Sequence, residues 1–276
     1  MRYRYRSQSE LDASLNARAT VADVTPYLTA YAEKSALARK TLDCRIGVPY
    51  GPTPAERLDI FPAKNPGSPV FVFIHGGYWK ALDASDSSFM APMFVEAGAA
   101  VVAVNYELAP IASIEEIVRQ CRAALAYVAR QARDFHGDAR RIHVCGSSAG
   151  GHLAGMIAAV KIPVQSASML SGLFDLEPVR LSNCNEWAKL DVQSAARNSP
   201  IRHLPPSPLP LVISYAPNEA AEFVIQSEAY MAACASRGYR AQFVTEPGTN
   251  HFDLPMRLMD RGSALSRAVL GAMGLG

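Results

Sequence analysis

Arg140–Val160 reads RRIHVCGSSAGGHLAGMIAAV. The β-prone apolar run Ile142–Cys145 meets Gly146-Ser147-Ser148-Ala149-Gly150, and a small-residue, helix-compatible run follows. A G-x-S-x-G turn between strand and helix bends the backbone sharply and presents the central serine at the strand's end. Glycine on both sides lets strand and helix pass closely, because neither position carries a Cβ. Ser148 is that central residue, since only position 148 has glycines two places away on each side.

Outward from this turn, the chain is ordinary in bulk. It has 276 residues, 49% hydrophobic and 19% charged, with a formal net charge of +2. That length suits one domain, 1–276, with decorations. The charge is too small to imply a nucleic-acid or acidic-membrane partner. The start Arg2-Tyr3-Arg4-Tyr5-Arg6 is basic and aromatic but short, and reads as a frayed or edge-packed terminus. No apolar stretch nears the roughly 18 residues of a membrane span, and no signal-peptide pattern opens the chain. The five cysteines form an odd, scattered set without C-x-x-C, as expected of reduced packing residues in a cytoplasmic protein.

Residues 1–40 read as a helical segment, with Thr25-Pro26 as cap and first turn. This segment is expected on the outside of the domain, at most bordering the mouth of a site. Arg45–Pro49 and Arg57–Phe61, joined by a turn-rich link, predict an antiparallel edge pair. The continuous apolar run Val70–Ile74 predicts a strand buried on both faces. It leads into His75-Gly76-Gly77-Tyr78-Trp79. A helix near 85–97, a strand at Ala99–Asn105 and an amphipathic helix near 113–133 follow, then the strand before Ser148. Beyond it come strands at Ala167–Ser171, Leu211–Tyr215 and Arg240–Thr245, with helices at Glu222–Arg237 and Asp253–Leu270. Alternating strands and helices make an α/β fold: a mostly parallel eight-stranded sheet with helices on both faces. Residues 174–208 lack strong periodicity and read as a small irregular lid or pocket wall.

A nucleophilic serine needs a base, an orienting acid and oxyanion donors. Sites in such sheets lie at the carboxyl ends of the strands, where both His75-Gly76-Gly77 and Ser148 fall. Of the six histidines, only His251 lies on a loop between the last strand and last helix, which suits the order serine, acid, histidine. His136 and His143 precede the serine, His152 lies a turn into the following helix and points away, and His203 could at most line a pocket. The acid belongs on the loop after Tyr215. Position favours Glu219 there over Glu222, which enters the helix, while Asp253 suits capping the last helix. Oxyanion donors fall to the N–H groups of Gly77, Tyr78 and Ala149, with His75 bracing the loop. Trp79, Phe174, Trp187 and Phe252 are candidate pocket residues. No His/Asp cluster suggests a metal, and no cofactor is implied.

The strings HGGYW (75–79), GSSAGG (146–151), SGLFDLEP (171–178), Glu222-Phe223 with Gln226-Ser227, and Asn250-His251-Phe252 are similar to the kynurenine formamidase (arylformamidase) branch of the α/β-hydrolases, near the hormone-sensitive-lipase-like esterases. In that family the acid stands three residues before the Glu-Phe pair, which is Glu219 here. The resemblance implies an α/β-hydrolase fold and a serine hydrolase cleaving a small ester or N-formyl aryl amide. Its members are often dimers, so a homodimer is an expectation. The chain departs from relatives at Ser147, often His or Asp, and at Glu219, often Asp. Asn105-Tyr106-Glu107-Leu108-Ala109-Pro110 lies closer to esterase usage, which keeps a general short-chain carboxylesterase as the alternative. A non-catalytic ligand-binding protein on this scaffold is a second alternative, although such proteins commonly lack a triad member. A lipid-interface lipase would need an amphipathic lid helix and a secretion signal.

Overall fold

Val70-Phe71-Val72-Phe73-Ile74 is buried throughout, and its side chains alternate between two cores. Val70, Val72 and Ile74 join one cluster; Phe71 and Phe73 join the other. A strand covered on both faces has no solvated side, which is why its sequence is apolar without a break. The computed structural model describes residues 5–161 and 163–276; Arg2, Tyr3 and Arg4 of the basic start lie outside them.

Helices α1 (Gln8–Ser14) and α2 (Thr25–Thr41) precede strands β1 (Arg45–Pro49), β2 (Arg57–Phe61) and β3 (Ser68–Ile74). The middle of the chain is α3 (Ala91–Glu96), β4 (Ala100–Val104), α4 (Ile114–Gln131), β5 (Gly137–Ser147), α5 (Ala149–Ala158) and β6 (Val164–Leu170). Then come α6 (Glu177–Leu181), α7 (Asn185–Ala188), α8 (Val192–Arg197), β7 (Leu211–Ser214), α9 (Ala221–Ser236), β8 (Ala241–Val244) and α10 (Ala264–Met273). The eight strands form one sheet in the order β1-β2-β4-β3-β5-β6-β7-β8. β1 pairs with β2, and β2 with β4, antiparallel; every other pairing is parallel. Strand order reverses at β3, flanked by β4 and β5. Such a switch opens a crevice beyond the carboxyl ends of β3 and β5, and there sit His75-Gly76-Gly77 and Ser148. Among the described residues no helix is long and apolar enough to cross a membrane.

Four local expectations are corrected. The helix near 85–97 is split into a 3₁₀ turn at Ala84–Asp86 and α3, because Ser87 and Ser88 turn their hydroxyls back onto the carbonyls of Asp83 and Ala84. The closing helix near 253–270 is also broken: Pro255–Met259 is 3₁₀, and α10 starts only after Ser263, whose hydroxyl caps it by accepting the N–H of Ser266. Asp253 does not cap that helix but binds Asn250, accepting its backbone N–H at 2.7 Å. The stretch 174–208 is not irregular; it carries α6, α7 and α8.

His152 fastens this segment to the core. Trp79 Nε1 donates to its Nδ1 at 3.2 Å, so its Nε2 carries the proton and donates to the Asn198 carbonyl at 2.7 Å. Burial pushes its pKa down to about 4, as it does for His75 and His143. Folded values below the ordinary 6.5 mean that the unfolded chain binds protons first on acidification. The stability that these neutral imidazoles contribute is therefore fully present above pH 6.5 and is lost as pH falls towards 4.

Two measurements follow from this packing. An ideal Cβ on Gly150 would stand 2.0 Å from the Ile74 carbonyl oxygen and 2.7 Å from that of His75, both backbone atoms, whereas one on Gly271 meets nothing within 4 Å. In urea denaturation Gly150→Ala should lose about 3 kcal/mol or more through overpacking, and Gly271→Ala, in a helix interior, should gain about 0.5–1 kcal/mol. Unfolding free energy measured against pH should be flat just above neutrality and fall below it. His152→Gln should make that fall shallower by up to about 1.4 kcal/mol per pH unit.

Candidate active site

Ser148 sits between β5 and α5 at φ 58°, ψ −120°. For a non-glycine residue such a conformation costs about 1–3 kcal/mol and persists only where its surroundings over-determine it. Here they do. A Cβ on Gly146 would lie 2.1 Å from the Gly150 oxygen, so strand and helix are already in backbone contact across the turn. The Ser148 N–H donates to the Leu170 carbonyl of β6 at 2.8 Å, which pins the bend to the sheet and removes that N–H from any oxyanion role. Ala149 opens α5, so its N–H has no intrahelical acceptor.

The partners arrive from the ends of β7 and β8. Beyond these strands the pairing continues as a parallel bridge between Asn218 and Asn250, with the Asn218 N–H donating to the Thr249 carbonyl at 3.3 Å. This sets the two loops side by side. His251 Nδ1 donates to Glu219 Oε2 at 2.7 Å, and both side chains are buried. The other carboxylate oxygen, Oε1, accepts from Ser171 Oγ and from the Ala216 N–H, each at 3.0 Å. Phe223 covers the imidazole, ring centroids 4.4 Å apart. Ser171 and Phe223 are partners that the sequence reading did not single out; SGLF at 171–174 and the Glu222-Phe223 pair were their only signals. Glu222 points elsewhere: it accepts from Tyr5 Oη, and from Gln226 Nε2 at 2.5 Å.

After β3 the loop turns left-handed at three consecutive residues, with φ 93° at Gly77, 51° at Tyr78 and 58° at Trp79. Gly77 is required there: a Cβ would lie 2.1 Å from the Ala81 oxygen. Among the described residues the N–H groups of Gly77 and Tyr78 donate to no protein acceptor. His75 braces the loop, stacked on Tyr106 at 4.1 Å, its Nδ1–H donating to the Gly76 carbonyl at 2.9 Å. Tyr106 Oη donates in turn to the carbonyls of His75 and Gly76.

A cavity of about 390 Å³ collects Ser148, His251, Gly77, Tyr78, Trp187 and Phe252 on its wall. Two pocket expectations are corrected. Trp79 is fully buried on His152, turned inward by the left-handed backbone before it. Phe174 is buried in the core, stacked on Tyr230 of α9 at 4.4 Å. His203 lines a separate surface cleft with Arg119 and Arg122. The N-terminal segment is not peripheral: Leu15, Leu28 and Tyr31 line the cavity. Tyr78 Oη donates to the Leu15 carbonyl, and Tyr31 Oη to that of Phe252. Asp12 Oδ1 accepts the Asn183 N–H at 2.8 Å, closing this segment onto the turn between α6 and α7.

A family model described as BD-FAE matches residues 58–177. The kynurenine formamidase of Danio rerio is 33% identical over 251 residues, covering 86% of this chain and 84% of its own. That of Salmo salar is 33% identical over 266 residues, covering 91% and 89%. A crystal structure from Silicibacter sp. TM1040, provisionally assigned as a thioesterase, superposes with a TM-score of 0.84 at 26% identity, covering 94% of this chain and 98% of that one. The protein is a serine hydrolase of the α/β-hydrolase fold, of the arylformamidase or esterase type. The chain belongs to the kynurenine formamidase family.

Proposed function

We propose that the chain hydrolyses N-formyl aryl amides through an acyl-enzyme, with Ser148 as nucleophile, His251 as base and Glu219 as the orienting acid. The observation that carries this reading is the make-up of the cavity. Tyr31, Phe73, Tyr78, Phe89, Trp187 and Phe252 surround the space that Ser148 and His251 share. Flat aromatic walls suit an aryl leaving group, and the volume suits a small molecule. Four of the five cysteines, Cys121, Cys145, Cys184 and Cys234, are buried, and all five are free, which fits a reducing, cytoplasmic setting.

In the proposed reaction His251 Nδ1–H stays on Glu219 while Nε2 takes the Ser148 proton. Oγ attacks the formyl carbon, and the N–H groups of Gly77, Tyr78 and Ala149 hold the oxyanion; losing one such donor costs about 3 kcal/mol. The imidazolium then protonates the aryl amine nitrogen, which leaves. Water, deprotonated by His251, attacks the formyl-enzyme and releases formate and Ser148. A buried carboxylate that already takes two fixed hydrogen bonds on Oε1 presents Oε2 to the ring without reorganisation. Hydrolysis of short-chain esters by the same groups is the second reading, favoured by the esterase-like Asn105–Pro110 string.

Ser148→Ala should lower kcat/KM by about 10⁴-fold or more, and Glu219→Gln by about 10⁴-fold chiefly in kcat; steady-state assays on folded protein check both. Formanilides should be hydrolysed with a higher kcat/KM than p-nitrophenyl acetate. The opposite ranking makes the protein a carboxylesterase.

A further inference from the structure

The cavity wall is mostly aromatic and aliphatic, yet two cations reach it, Lys80 and Arg18. Among the described residues neither forms an ion pair. Lys80 is nonetheless held in place. Its Nζ lies 3.1 Å from the centroid of the Trp187 ring, and Trp187 Nε1 donates to the Tyr78 carbonyl at 3.0 Å. The ammonium is thereby tied, through one ring, to the backbone of the loop beside Ser148. A ring face attracts a cation but carries no net charge, so the charge is positioned without being neutralised. Two acids also line the space. Asp12 takes the Asn183 N–H and Gln8 Nε2 on Oδ1 and pairs with neither cation among the described residues, and Asp86 has its carboxyl pKa raised by burial and by the neighbouring Asp83.

We propose that Lys80 is a specificity-determining residue that selects substrates bearing a carboxylate on the leaving group. The inference rests on the hydrolase reading above and adds a subsite to it. An anion entering the cavity would replace the missing counter-charge of an ammonium already fixed on Trp187, so little side-chain ordering remains to be done on binding. Neutral and anionic substrates of one shape would then share kcat but differ in KM, since the interaction is made equally in ground and transition states.

The test compares formanilide with its 2-, 3- and 4-carboxylates, and phenyl acetate with 4-acetoxybenzoate, on the wild type, Lys80→Met and Lys80→Arg. We expect at least one carboxylate isomer to be preferred about tenfold in the wild type through KM. Lys80→Met should abolish that preference and leave the neutral substrates unchanged, while Lys80→Arg should retain most of it. Raising the salt concentration should weaken it, as for any exposed charge pair. A wild type indifferent to the carboxylate, or a Lys80→Met that slows neutral and anionic substrates alike, overturns the proposal. Binding keeps the test independent of turnover: calorimetry with Ser148→Ala should show an aminobenzoate binding at least tenfold more tightly than aniline, and Ser148→Ala/Lys80→Met should lose the difference. Should no ester or formamide be turned over, that binding contrast still decides for or against Lys80, and only the proposed reaction falls.

Discussion

The left-handed backbone at Ser148 is the constraint on which the rest depends. A residue with a Cβ does not hold φ 58°, ψ −120° unaided. The bend survives because Gly146 and Gly150 allow β5, α5 and β3 into backbone contact, and because the Ser148 N–H is taken by β6. The same close approach brings the carbonyl of Ser147 against Gly76, where a Cβ would lie at 2.9 Å. The serine turn and the Gly76-Gly77 loop are therefore fitted to one another, and neither can shift alone.

Around that fixed point, the second half of the sheet brings Glu219 and His251 together, and distant segments of the chain supply the enclosure. β7 and β8 deliver Glu219 and His251 on loops that remain paired past the strands. The carboxylate has few other positions available, since Ser171 and Ala216 hold its second oxygen. Enclosure comes from distant parts of the chain: the N-terminal segment, through Leu15 and Tyr31, and α7, through Trp187. His152 ties the segment after α8 to Trp79 in the core, so that segment and the His75–Trp79 loop share a single buried imidazole.

Much of this was legible in the sequence because the signals are local. Strand β3 announces itself by an unbroken apolar run, the serine turn by glycine spacing, and His251 by its place between the last strand and helix. Glu219 was separable from Glu222 by its distance from the strand end, and the structure sets only Glu219 against His251. Long-range side-chain geometry was not legible. That Trp79 turns into the core while Trp187 faces the cavity depends on three left-handed residues in succession. The part played by residues before β1 rests on single hydrogen bonds across the fold, such as Tyr5 to Glu222 and Tyr78 to Leu15. No periodicity encodes such bonds. The break before α10 has no clear sequence signal, because Gly262-Ser263 sits within an otherwise helical pattern, where a serine cap competes with continuation.

Activation of Ser148 by the His251–Glu219 pair is tested most sharply by mass spectrometry of the intact protein, then of its peptides, after brief exposure to a fluorophosphonate. One adduct per chain is expected, on Ser148, formed far more slowly when His251 is replaced by alanine. An adduct on Ser147 or Ser171, or labelling that proceeds at the same rate without His251, would contradict it.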